Sequence, residues 1–204
     1  MTFVSLGFTI FLAAVLAARY FLPSDFRRVS LLLASLLFCF WWSPLCLYTI
    51  VVSVLVNFGL GKTILRVGRS RARIPVLAGI GFNLAALFFF RGYDFFAPEL
   101  GTLLNSIGIY SGEILPKILA PVGLSFYSMQ AMSWLVDLRR KQVPADVSLA
   151  EFTLYMVYFP KLLAGPIERA GPFIKQLREM PVSVSREKLG SAGGLILWAF
   201  LEKS

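Results

Sequence analysis

The sequence predicts an all-α, polytopic integral membrane protein, a helical bundle interrupted by one broken or re-entrant segment. Composition and the placement of charge predict it. Of the 204 residues, 57% are hydrophobic and 15% are charged, whereas soluble domains run at about 45–50% apolar and about 25% charged. The mean hydropathy is +0.74. The charges are gathered between long uncharged runs at 1–18, 29–61, 74–90, 118–136 and 189–201. A chain of this size cannot hide so much apolar surface from water, so lipid is the solvent for much of it. No long-period repeat, low-complexity tract or linker divides the chain, which reads as a single membrane domain over 1–204.

The net charge is +9. The basic residues sit in the short segments between apolar runs, the pattern that orients a membrane protein. Their expected partners are anionic lipid headgroups, not nucleic acid. Residues 1–18 carry no charge and the apolar stretch continues to Leu22. A signal peptide would have a basic leader and a shorter apolar core, so this reads as a retained first span. The run 29–61 is too long for one crossing of about 20 residues and somewhat short for two. Pro44, just after Trp41 and Trp42, is a natural break at a membrane interface. The segments on either side decide the matter. Arg19, Arg27 and Arg28 stand against Asp25 before the run, and Lys62, Arg66, Arg69, Arg71 and Arg73 follow it with no acid. Both segments belong in the cytoplasm, so 29–61 is a hairpin and the N-terminus lies outside.

The span 74–90 leads to residues 91–117, where Arg91 and Lys117 are outnumbered by Asp94, Glu99 and Glu113. Leu100, Leu103, Leu104 and Ile107 recur at i, i+3, i+4, i+7, an apolar face suited to lying in the outer interface. The span 118–136 returns to Asp137, Arg139, Arg140 and Lys141. Residues 149–167 then break the pattern. Pro160 interrupts an apolar run, Lys161 follows, and Gly165-Pro166 ends it. If the charged segment 168–190 is also cytoplasmic, 149–167 enters the membrane and returns on the same side. Irregular backbone at that depth survives only inside protein or beside a water-filled cavity. Two readings of Lys161 stay open: an intramembrane functional cation, or a side chain snorkelling to the headgroups.

The chain has no histidine. That removes the commonest general base near neutral pH, and with it Ser/His, Cys/His and most zinc chemistry. The acids lie mostly beside basic residues in loops and read as solvated charge. Cys39 and Cys46 lack metal-site spacing and read as buried free thiols. Gly59-x-Gly61-Lys62 lacks the spacing of a phosphate-binding loop. Gly79-x-Gly81 and the Gly190/Gly194 pair read as sites of close helix packing. Pro121 and Gly123 loosen the start of the span 118–136, and Gln130, Ser133 and Asp137 share one of its faces at i, i+3, i+7. Polar groups facing lipid are costly, so this face points into the bundle. Whether it only joins helices or lines a cavity is left open.

The stretch from Ala120 to Arg140, APVGLSFYSMQAMSWLVDLRR, resembles a signature of the membrane-bound O-acyltransferase family. YFPKLLAGPIERA, from Tyr158 to Ala170, resembles a second. Their order and separation are similar to those of the bacterial alginate O-acetyltransferase-like branch. The likeness is close over 115–175, whereas 1–114 matches in general layout only. It implies a partial bundle of helices around a funnel, in a bacterial inner membrane. It also implies transfer of an acyl group, expected to be acetyl, from a cytoplasmic thioester to a hydroxyl of a cell-envelope polysaccharide. An acetyl-CoA-like donor would be a substrate, with no bound cofactor. The expected partners are the lipid bilayer and an extracytoplasmic acetyl-transfer protein. The residues implied to line the tunnel are Ser125, Gln130, Ser133, Asp137, Pro160, Lys161, Gly165, Pro166, Glu168 and Arg169. Family members usually carry glutamine where this chain has Lys161, so a cation replaces a neutral amide. The family's catalytic histidine lies further along than this sequence reaches. Residues 189–204 resemble the opening of the next family helix, so the expectation is an N-terminal part that is inactive alone. Two other classes fit the same residues: a transporter or flippase component, which would show internal repeat symmetry, and a non-catalytic membrane partner.

Overall fold

The computed structural model describes residues 6–108, 121, 123–162 and 168–179, and every regular element among them is helical. The first uncharged run becomes α1, Leu6–Phe21. It ends just ahead of Pro23, and Arg27 Nε donates to the Leu22 carbonyl at 2.9 Å, satisfying one acceptor left over at the helix end. The run 29–61 is split as its proline predicts, into α2, Ser24–Trp42, and α3, Pro44–Arg66. Ser43 between them is extended (φ −167°, ψ 133°), the conformation that a following proline imposes. Cys39 and Cys46 flank this break, both buried and neither in a disulfide.

A short turn, α4, Gly68–Arg71, leads into α5, Arg73–Ser106. Here the structure departs from expectation. The Leu103/Ile107 stripe does not form a separate interfacial helix but ends a continuous helix of 34 residues. Pro98 removes one ladder bond without ending the helix. At about 51 Å, α5 is longer than the roughly 30 Å hydrocarbon core.

Two helical stretches, Pro44–Arg66 and Arg73–Tyr93, are long and apolar enough to cross a bilayer. Only 33% and 22% of their apolar stretches are buried within the protein. The core helices of a water-soluble domain would be mostly covered. Instead Leu55, Leu77, Leu84 and Phe88 point outward. Such apolar surface needs lipid around it. The chain is an all-α membrane protein.

Close approach of backbones builds the interior. Helix α6, Leu124–Arg139, starts at Gly123 in the left-handed region (φ 75°) and packs between α3 and α5. A Cβ on Gly61 would overlap the Trp134 ring, and one on Gly79 would overlap Leu135. Glycine at these two positions lets α3 and α5 come close to α6. Between α3 and α5, Asn83 donates to Asn57 Oδ1 at 2.8 Å, and both side chains are buried.

The segment 149–167 is indeed broken. Helix α7, Leu149–Val157, is nine residues long and is followed, after Tyr158, by the single turn α8, Phe159–Leu162. Its return, 163–167, lies outside the described residues, as does 189–201. The charged segment after it is not all loop. Residues Ala170–Arg178 form α9, with Ala170, Phe173, Ile174 and Leu177 buried. Gly171 sits where a Cβ would come within 2.6 Å of the Gln142 carbonyl, so α9 lies directly on the 140–148 loop.

One ion cluster fixes the loop ends of α7 and α9. Ser148 and Glu151 form a capping box. Arg178 donates Nε to Glu151 Oε1 at 2.7 Å, and also reaches Asp146 at 3.1 Å. The Arg178 hydrogen bond holds the Glu151 carboxyl down at about 2, against an ordinary 4.5.

Two outcomes follow for stability in detergent. Gly61→Ala should lower it by about 1–3 kcal/mol through overpacking, whereas Gly59→Ala, with open space at its Cβ, should leave it unchanged or slightly raised. Thermal unfolding of the pair reads the difference. The folded-state pKa of Glu151 is depressed, so its contribution is fully present above about 4.5 and is lost as pH falls toward 2. The melting temperature of the wild type should therefore drop more steeply across that window than that of Glu151→Gln.

Candidate functional site

The broken segment brings together the most chemistry. At Tyr158 the backbone leaves the helix (φ −53°, ψ 104°). The Phe159 amide turns to Ser35 on α2 and donates to its Oγ at 3.4 Å. Ser35 gives its own hydroxyl proton to the Leu31 carbonyl at 2.8 Å, leaving oxygen lone pairs for that amide. The Phe159 ring packs between Phe11 and Phe38, with centroids 5.3 and 5.8 Å away. The break is thus clamped by α1 and α2.

On the far side of the turn, Lys161 Nζ forms an ion pair with the Glu168 carboxylate. The lysine side chain is only 16% exposed. Its ammonium also lies 4.0 Å from the centroid of the Phe173 ring and 5.6 Å from that of Tyr158. Ring faces attract a desolvated cation. The Tyr155 hydroxyl donates to the Glu168 carbonyl at 2.9 Å, so α7 holds the chain entering α9. Among the described residues Lys161 is therefore paired with an acid and two ring faces.

The polar face of α6 meets this region from the side. Gln130 is fully buried and donates Nε2 to the Tyr155 carbonyl at 3.4 Å, while its Oε1 has no partner among the described residues. Asp137 is 4% exposed and Ser133 is half-buried. Ser125 is half-buried in the first turn of α6, Pro160 is exposed on α8, and Arg169 is exposed at the start of α9. Gly165 and Pro166 lie outside the described residues. The structure thus joins Gln130, Lys161 and Glu168 through Tyr155, and leaves Ser125 and Arg169 apart.

A neighbouring face of α6 opens on a cavity of about 200 Å³ between α3, α5 and α6. Tyr48, Val52, Phe82 and Phe90 form apolar walls, and Tyr127 and Ser128 bring hydroxyls to it. Among the described residues Ser128 Oγ is buried without a hydrogen-bond partner. Sequence reasoning singled out neither these residues nor the Asn57/Asn83 pair, Ser35 or Tyr155. The two asparagines were detectable in principle, as amides in otherwise uncharged, span-length runs.

Comparison with known proteins finds curated relatives. Over 172 residues, or 82% of this chain, it is 31% identical to a probable alginate O-acetylase of Pseudomonas putida, covering 35% of that protein. A probable alginate O-acetylase of Azotobacter vinelandii is 29% identical over 82% of this chain and 34% of its own length. The resemblance to O-acyltransferases seen in the sequence thus extends over most of this chain. A peptidoglycan O-acetyltransferase of Helicobacter pylori is 25% identical over 76% of this chain and 33% of its own length. The chain therefore spans about a third of the length of the curated relatives it matches. No protein-family model matches it, and no solved structure does.

The ion pair between Lys161 and Glu168 predicts an asymmetry. Lys161→Met alone leaves the Glu168 carboxylate half-buried without its cation, and should cost roughly 3 kcal/mol or more of stability. The double variant Lys161→Met/Glu168→Gln should recover most of that loss. Equal loss in both, measured by unfolding in detergent, would show that the pair is not coupled.

Proposed function

We propose that this chain forms part of the tunnel wall of an O-acyltransferase. The enzyme would carry an acyl group, most simply acetyl, from a cytoplasmic thioester to a hydroxyl of a cell-envelope polysaccharide. The observation that carries this reading is the broken α7–α8 segment. It is clamped to α2, sealed by the Lys161–Glu168 pair, and lies in a stretch similar to proteins named as O-acetylases. A break held by the protein's own groups can border a passage without exposing backbone to lipid. The buried Gln130 Oε1 beside it is an acceptor without a partner among the described residues.

In this reading the chain sits in a bacterial inner membrane as a multi-pass protein, with its N-terminus outside and its basic loops in the cytoplasm. An acetyl-CoA-like thioester is the donor, and an extracytoplasmic acetyl-transfer protein is the partner on the acceptor side. The chain contains no histidine, so the general base that deprotonates the attacking hydroxyl comes from outside it. The hydroxyl oxygen attacks the thioester carbonyl, the base takes its proton, and the thiolate leaves.

The test replaces the matched stretch of the Pseudomonas putida relative with residues of this chain and measures acetylation of polysaccharide in cells. Acetylation should be restored, and Lys161→Met in the chimera should reduce it by about tenfold or more, since misplacing a wall by about 1 Å costs up to 100-fold. A chimera that accumulates in membranes yet transfers nothing would contradict the reading. Membranes carrying this chain alone should show no transfer. Turnover there would mean that one of its own residues replaces the histidine.

A further inference from the structure

A second cavity, of about 250 Å³, lies between the start of α5 and the end of α6, lined by Val76, Val136, Arg139 and Arg140. It takes no part in the broken segment. Its lining is mixed: two valines and two arginines. Val76 is buried, Val136 and Arg139 are half-buried, and Arg140 is exposed. Arg73, one turn before Val76 on the same face of α5, is exposed as well. Neither Arg139 nor Arg140 makes an ion pair among the described residues, and Asp137, the nearest acid in sequence, is not paired with them.

Orientation alone needs basic residues near a membrane surface, but it does not need a cavity between two of them. Arginine presents planar forks that match phosphate oxygens, and two of them on one concave wall outdo a scattered pair of charges. The valine walls suit the carbon skeleton attached to such a phosphate. Basic pockets between membrane helices favour phospholipid headgroups for these same reasons.

We propose that the α5–α6 cavity is a binding site for a phosphate ester, with Arg139 and Arg140 holding the phosphate and Val76 and Val136 holding the carbon attached to it. The site is independent of the transferase reading and rests only on the cavity and its unpaired cations. Its ligand is either the headgroup of an anionic lipid or a soluble organic phosphate.

The experiment uses the whole 204-residue chain purified in neutral detergent. Phosphatidylglycerol is titrated against it and bound lipid is read by native mass spectrometry, with diacylglycerol as the phosphate-free control. Arg139→Gln/Arg140→Gln should weaken phosphatidylglycerol binding roughly tenfold or more. The charge-matched variant Arg66→Gln/Arg71→Gln should change it little. Val136→Phe, which fills the cavity without altering charge, should also weaken it. Competition by glycerol phosphate added in solution would assign the site to soluble esters, and its failure would assign it to lipid; both support a phosphate site. Equal weakening by the two arginine pairs, unchanged binding in Val136→Phe, or equal retention of diacylglycerol would overturn it. Melting temperatures without lipid should match the wild type for both glutamine pairs. If Arg139→Gln/Arg140→Gln melts early, Arg139→Lys/Arg140→Lys, which keeps the charge but removes the forks, serves in its place and should still bind more weakly.

Discussion

An amide hydrogen released from a helix inside an apolar layer has to find an acceptor, and in this protein the amide of Phe159 finds Ser35. Left unpaired in hydrocarbon, such a group costs several kcal/mol, which is why irregular backbone is rare at membrane depth. The break at Tyr158 exists because Pro160 has no amide to give the Met156 carbonyl and its ring would clash there, and because Ser35 stands ready across the interface. Much else is arranged around that bond. Phe159 wedges between α1 and α2, the turn swings Lys161 toward Glu168, and Tyr155 ties the chain entering α9 back to α7.

The same constraint governs polar groups elsewhere. Asn57 and Asn83 satisfy each other between α3 and α5, and each also donates to a carbonyl one turn back on its own helix. Glycine is placed where backbones must approach, at Gly61 and Gly79, while the apolar side chains that would form the core of a water-soluble protein face outward. Lysine at position 161 belongs to this logic. A cation there is tolerated because an acid and two ring faces meet it. A neutral amide would need neither.

Much of this was legible in the sequence, and the parts that were not have physical reasons. Segregated charge marks the long helices, and Pro44 marks the hairpin break to the residue. Pro160 and Lys161 mark the broken segment. The tertiary pairings were not legible, because nothing local to Ser35 or Tyr155 announces a partner more than 10 residues away. Helix α9 was hidden by its charges, although Ala170, Phe173, Ile174 and Leu177 recur at helical spacing. The stripe before Ile107 misled in the other direction. Its period is truly helical, but periodicity does not say where a helix begins, and α5 runs straight through Pro98. Of the polar face on α6, the period showed that Gln130 and Asp137 turn inward; it could not show that Gln130 is bonded to the backbone of α7.

The most direct test is amide hydrogen exchange of the chain in lipid nanodiscs, followed at Phe159. The account predicts that this amide exchanges as slowly as those inside α7, and that Ser35→Ala speeds it selectively. An amide at Phe159 that exchanges in the wild type as fast as the exposed loop residues Ala145 and Asp146 would contradict it.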